Sequence, residues 1–199
     1  LDKEETLRVG GTLTFLGIEM HMRKNGDIVL HQRAFIQSLL DKYHKSPISG
    51  NKAVQMDKLP EERLPTPAEL KALQTYSGEF NWLATRTRLD LSYYTSLLAS
   101  SCSKHADWSL ELAKKILRFL AGTKDQGIVI SVSGSLFDLV AWSDAGYAGA
   151  DTRSQSGLII MWGGSILTWR SSRQTVSTLS TAEAELNAAT LAWQIIEGV

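Results

Sequence analysis

One cysteine, Cys102, stands in 199 residues, so neither an internal disulfide nor an all-cysteine zinc site can form. That usage fits a reducing compartment, and the expectation is an intracellular protein. Histidine is scarce too: His21, His31, His44 and His105 lie scattered without ligand spacing, which argues against zinc. No stretch approaches the roughly 20 apolar residues of a spanning helix. The charged opening, Leu1-Asp2-Lys3-Glu4-Glu5, lacks a signal-peptide core. No membrane partner is therefore expected. Neither sign of charge is in excess. Twenty-one basic residues balance 21 acidic ones, which excludes a strongly basic coat but leaves room for a local basic patch. A starting methionine is also missing, so the chain reads as a piece of a longer polypeptide.

What is present reads as globular. Hydrophobic residues make up 43% and charged residues 21%, enough for a real core. Residues 11–31 read as a β-hairpin. Thr12, Thr14, Leu16, Ile18 and Met20 would line one face of its first strand, with Lys24-Asn25-Gly26-Asp27 as the turn. A helix with Phe35, Leu39, Leu40 and Tyr43 along its apolar stripe should follow. Residues 45–65 show no period and read as a surface loop. Thr66, Pro67 and Glu69 then form a capping-box signature for the next helix. Two more helices are expected, from about Asp90 to Ser101 and from about Asp107 to Ala121, with Gly122 as a left-handed stop.

From residue 126 the pattern changes to short strands: 128–130, 137–143, 157–162 and 165–170. The last three suit an antiparallel meander, with Gly163-Gly164 as a tight turn. A loop carrying Arg173 and Gln174 leads to a final helix from Thr181 to about Ile196.

That helix poses the sharpest chemical question. Ser180 and Glu183 make a second capping box, so Glu183 has a structural task on the polar side with Asn187, Thr190 and Gln194. Glu185 falls in line with Ala189, Ala192, Trp193 and Ile196, on the stripe expected to face the sheet. A carboxylate there is costly unless paired, hydrogen-bonded or bound to a cation. Structural pairing and functional use both remain open. Asp144 follows the expected strand 137–143 and precedes a small-residue bend, which is the setting of a turn former. A meander followed by a helix can also bring Asp144 and Glu185 together as hard oxygen ligands for Mg²⁺ or Mn²⁺. Sharing ions would place their carboxylates roughly 4–7 Å apart.

Other candidates are blander. Arg170, Arg173 and Gln174 can hold a phosphate backbone or form a solvated loop. Lys114, Lys115 and Arg118 suit the exposed side of an amphipathic helix. Trp82, Trp108 and Trp193 are expected in the core, as is Cys102.

Several segments together carry a family resemblance. They are Trp142-Ser143-Asp144-Ala145-Gly146-Tyr147-Ala148-Gly149, Arg153, Ser156-Gly157, Leu167-Thr168-Trp169-Arg170-Ser171-Ser172-Arg173-Gln174, and Leu179-Ser180-Thr181-Ala182-Glu183-Ala184-Glu185-Leu186. In this order they resemble the ribonuclease H domain of copia-type retrotransposon Pol polyproteins. Phe15-Leu16-Gly17-Ile18-Glu19 resembles the end of a reverse transcriptase palm, where the primer grip lies. Leu30-His31-Gln32 onward resembles the start of a thumb. Trp82–Asp90 and Ala113–Thr123 resemble a helical connection. The family has Thr-Arg-Pro-Asp where this chain has Thr87-Arg88-Leu89-Asp90, and often a second acid where this chain has Gly146.

The resemblance implies an α+β and α/β chain in three parts: a palm-end hairpin over residues 1–31, a thumb and connection over 32–125, and half of a ribonuclease H-like domain over 126–199. It implies degradation of the RNA strand of RNA–DNA hybrids by two Mg²⁺ or Mn²⁺ ions. Asp144 and Glu185 would be catalytic metal ligands. Phe15, Leu16, Gly17, Arg170, Arg173 and Gln174 would contact nucleic acid. Implied partners are RNA–DNA hybrid, primer–template and the remainder of Pol. The piece alone is expected to be inactive, because the family's further carboxylates fall outside it. Two rivals are a non-catalytic nucleic-acid-binding remnant and a helical interaction module.

Overall fold

In a computed structural model the described residues are 6–43, 50, 53–54, 61–135, 137–148 and 153–198. The elements run β1 (Thr12–Phe15), β2 (Ile18–Met22), β3 (Ile28–His31), α1 (Arg33–Tyr43), α2 (Pro67–Ala84), α3 (Ser92–Ser101), α4 (Ala106–Gly122), β4 (Ile128–Ile130), β5 (Leu139–Gly146), β6 (Gln155–Trp162), β7 (Ser165–Arg173) and α5 (Thr181–Ile196). The fold is mixed α+β. One sheet has strand order β1-β2-β3-β4 and the other β5-β6-β7. Two compact units result, one comprising residues 1–22 and 29–128, the other residues 23–28 and 129–199. Among the described residues no helix is long and apolar enough to cross a membrane.

The first unit departs from expectation at its start. Phe15 pairs with Ile18, so the single strand expected through Met20 is two strands joined by Leu16 and Gly17. Their φ values are 48° and 76°, the paired positive angles of a tight type I′ hairpin turn. Leucine seldom adopts that conformation, which is why the sequence hides the turn.

The helices pack around Leu73, Phe80, Leu83, Leu98, Ile116 and Leu120, all buried. In α1 the buried residues are Ile36 and Leu39, while Phe35, Leu40 and Tyr43 lie partly buried beside them. The capping box of α2 is formed as expected. The Thr66 amide donates to Glu69 Oε2 at 2.8 Å, and the Glu69 amide donates to Thr66 Oγ1 at 3.3 Å. Arg63 donates to the same carboxylate at 2.9 Å and also to Asp107. The helix expected from Asp90 begins at Ser92, behind a 3₁₀ turn over Leu89–Leu91.

Gly122 ends α4 for a different reason from the one expected. It is not in the left-handed region, and Thr123 is the cap. A Cβ added at Gly50 would lie 2.4 Å from the Gly122 Cα, so the two glycines allow a close backbone crossing. Most of the expected loop at 45–65 lies outside the described residues.

In the second unit the meander is antiparallel; β5 starts at Leu139, two residues later than expected, and the strands otherwise run past their expected bounds. β5 reaches Gly146, β6 begins at Gln155 and β7 reaches Arg173. Asp144 is therefore inside a strand rather than after it, and Arg173 is a strand residue rather than a loop residue. Gly163 and Gly164, at φ 57° and 75°, make the β6–β7 turn. Leu158 and Ile160 of β6 pack on Ala192 of α5, with Leu191 and Ile195 beside them. Trp193 is a correction. It is 62% exposed, and its Nε1–H donates to Glu197 at 2.9 Å.

Candidate functional site: the open edge of the meander and the groove beside its helix

α5 lies over β5 and β6, leaving β7 at its flank. Small residues permit this seating: Ala145 of β5 packs directly on Ala184 and Ala188. The helix start is fixed by its cap. Ser180 Oγ accepts from the Glu183 amide at 3.1 Å, and Glu183 Oε2 accepts from the Leu179 amide at 2.7 Å. Glu183 thus turns back on the chain, one residue further than the Ser180 amide that a simple box implies.

Register decides where Asp144 points. It pairs with Gly157, while its neighbour Ala145 pairs with Ser156. Ala145 and Ser156 are both buried, and Ala145 faces α5. Successive strand side chains alternate. Asp144 therefore lies on the other face of the sheet with Val140 and Trp142, and it is exposed. Glu185 is half-buried on α5, one residue past the buried Ala184. Asn187, Thr190, Leu191 and Gln194 line the helix flank toward β7, so Glu185 is turned to the opposite flank, toward β5. The two carboxylates do not share the helix-covered face. What they share is β5, an end strand whose outer side has no neighbour in its sheet. A cation held by both would sit at that open edge.

Arg170 and Gln174 fall on the far side of α5 from Glu185, whereas Arg173 alternates onto the sheet face that α5 does not cover. Arg170 pairs with Leu158 and Arg173 with Gln155. Gln174 is buried, and its Nε2 donates to Ser156 Oγ at 2.9 Å and to the Ala184 carbonyl at 2.8 Å. Its amide ties the end of β7 to the first turn of α5. A groove of about 320 Å³ lies between β7 and α5, bounded by Arg170, Ser172, Gln174, Asn187, Thr190 and Gln194 among others. Phe15, Leu16 and Gly17 form the tip of the β1–β2 hairpin, where Phe15 is 62% and Leu16 71% exposed. Nothing lies within 4 Å of a Cβ built on Gly17, so the tip is open to a ligand.

A Pol polyprotein of transposon RE2 from Arabidopsis thaliana is 33% identical to this chain over 178 residues. The match covers 86% of this chain and 12% of that retrovirus-related protein. The corresponding protein of transposon RE1 from the same plant is 32% identical, with the same coverage. The chain is a relative of transposon Pol polyproteins. A third match, secreted RxLR effector protein 161 of Plasmopara viticola, is 32% identical over 119 residues, 59% of this chain and 83% of the effector. No family model matches the chain, and no solved structure matches it. The chain thus spans about an eighth of the length of the two plant Pol polyproteins.

In this Pol relative, sequence reasoning grouped Asn187, Thr190 and Gln194 only as the polar side of a helix. Their spacing of three and four residues was the available signal that they share a wall. Their partner wall was hidden, because the extension of β7 through Arg173 depends on pairing with β6.

Proposed function

We propose that this chain is the junction of a reverse transcriptase with a ribonuclease H unit, and that the longer Pol polypeptide degrades the RNA strand of RNA–DNA hybrids. The observation that carries the reading is an antiparallel meander backed by one helix, with Asp144 on its end strand and Glu185 on that helix. Homology to transposon Pol polyproteins supports it. The exposed hairpin tip at Phe15, Leu16 and Gly17 would contact the primer strand of a primer–template. Arg170 and Arg173 would neutralise nucleic-acid phosphates, and Gln174 would position their strand end against α5.

The donor set suits Mg²⁺ or Mn²⁺, which favour carboxylate oxygens. It is incomplete, however: among the described residues no group of three or more His, Cys, Asp or Glu could hold a metal ion. Two bound ions would supply an activated water and a clamp on the leaving oxygen. Asp144 and Glu185 would furnish part of that site, with the remaining ligands from other segments of Pol. The same shortfall favours a second reading for the isolated chain, a nucleic-acid-binding piece without catalysis. The test is cleavage of a labelled RNA–DNA hybrid by the parent polypeptide extended beyond Val199, with Mg²⁺ or Mn²⁺. Activity abolished by Asp144→Asn and by Glu185→Gln is expected, with residues 1–199 silent. Metal-dependent cleavage by residues 1–199, or full activity in both variants, would overturn the assignment.

A further inference from the structure

The groove between α5 and β7 is unusual in its charge. Arg170 lines it from the helix-covered face of β7, Arg173 borders it at the strand end, no carboxylate lines it, and neither arginine makes an ion pair among the described residues. Hydroxyls of Ser172 and Thr175 and amides of Asn187 and Gln194 add hydrogen-bond donors, while the Thr190 hydroxyl donates to the Leu186 carbonyl at 2.8 Å. Gln174 closes the floor of the groove, its amide nitrogen donating inward to Ser156 Oγ and the Ala184 carbonyl. Val176 and Leu191 contribute apolar surface.

A matching ligand therefore carries an anion for the Arg170 guanidinium and a partly apolar body for Val176 and Leu191. Nucleotides have both: the phosphate and the base. Inorganic phosphate supplies chiefly the first. Size narrows the choice. At about 320 Å³ the groove is at the small end of ligand cavities, roughly 300–1,000 Å³. That is room for one nucleotide and not for a duplex.

We propose that the α5–β7 groove holds one unpaired nucleotide of a single-stranded nucleic acid, with its phosphate on Arg170. This inference rests on the nucleic-acid reading of the chain, but not on its carboxylates, which lie around β5 on the other flank of α5. It assigns the groove to a strand segment outside the hybrid rather than to the hybrid itself. Aromatic stacking platforms are the usual single-strand device. Here Leu191 and Val176 would take the base instead.

The experiment is fluorescence anisotropy of residues 1–199 with labelled 12-nucleotide single-stranded RNA and DNA and with a blunt RNA–DNA hybrid. A chelator removes any metal contribution. Single strands should bind more tightly than the hybrid. Arg170→Ala should weaken single-strand binding on the order of tenfold, as loss of a charged hydrogen bond does. It should also reduce the salt slope by about 0.7. Gln194→Glu, an exposed helical change that adds a like charge for the phosphate, should weaken binding as well. Equal affinity for hybrid and single strand, or unchanged binding in both variants, would overturn the proposal. So would full displacement of the oligonucleotide by inorganic phosphate at equal concentration, which would mean an adventitious ion only. Asp144→Asn should leave this affinity unchanged while abolishing hybrid cleavage in the extended polypeptide, so failure of either reading is seen separately.

Discussion

Arg88 is among the largest fully buried side chains of the described residues, and its surroundings make an asymmetric prediction. Its Nε and Nη2 donate to Asp90 at 3.0 and 2.8 Å, a two-pronged contact. Its Nη1 donates to the Thr123 carbonyl at 3.1 Å and its Nη2 to Thr123 Oγ1 at 2.7 Å. The Phe119 ring lies 5.3 Å from the guanidinium carbon. The side chain of Arg88 is 1% exposed and that of Asp90 35%. Arg88→Met removes the cation but strands little. Asp90 can turn to water, the Thr123 carbonyl keeps the Gln126 amide, and Thr123 Oγ1 keeps its bond to the Phe119 carbonyl. A loss of about 2–3 kcal/mol follows from the charged hydrogen bonds alone. Asp90→Ala is worse, because it leaves a buried cation with only Thr123, and breaking such a pair costs about 3–5 kcal/mol. Urea denaturation followed by far-UV circular dichroism measures both. The expected order is a larger loss for Asp90→Ala than for Arg88→Met. A reversed order, or both losses under about 0.5 kcal/mol, the usual limit for surface changes, would refute the reasoning.

Two further outcomes follow from the first unit. Glu69 accepts from Arg63 and from the Thr66 amide and hydroxyl, and these bonds hold its carboxyl at about 2, below the usual 4.5. Folding therefore favours the ionised form, and its stabilisation is present above pH 4.5 and lost as pH falls toward about 2. Acid titration of thermal stability should show that loss, and Glu69→Gln should remove its Glu69 share; an unchanged acid profile would refute this. Leu16 sits at φ 48° at an exposed hairpin tip, a conformation that costs a non-glycine residue roughly 1–2 kcal/mol. Leu16→Asn should raise the melting temperature and, on the reading proposed above, lower primer extension by the longer Pol polypeptide. Retained extension would reduce the tip to a structural turn.

What the sequence disclosed and what it hid divide by the range of the forces involved. The α2 capping box and the Ser180 cap of α5 were legible because Thr66 with Glu69 and Ser180 with Glu183 are three residues apart, and each bond closes within one turn. The turn at Leu16-Gly17 was hidden because leucine is a poor signal for positive φ, and only Gly17 marked it. The burial of Arg88 was hidden because Thr123, which receives its guanidinium, is 35 positions away. On α5 the large residues misled. Trp193 and Ile196 suggested one stripe, but close approach to Ala145 selects alanines, so the helix seats on Ala184 and Ala188 and turns Glu185 to the flank. Asp144 depended on something less local still. Its face is set by pairing with Gly157, and the strand end misjudged by three residues concealed that pairing. The placement has a chemical consequence. A carboxylate on the far face of a sheet and one on a covering helix meet the same solvent only around an edge strand. β5 is that strand, so an added strand along its outer side would bear directly on any ion that Asp144 and Glu185 share.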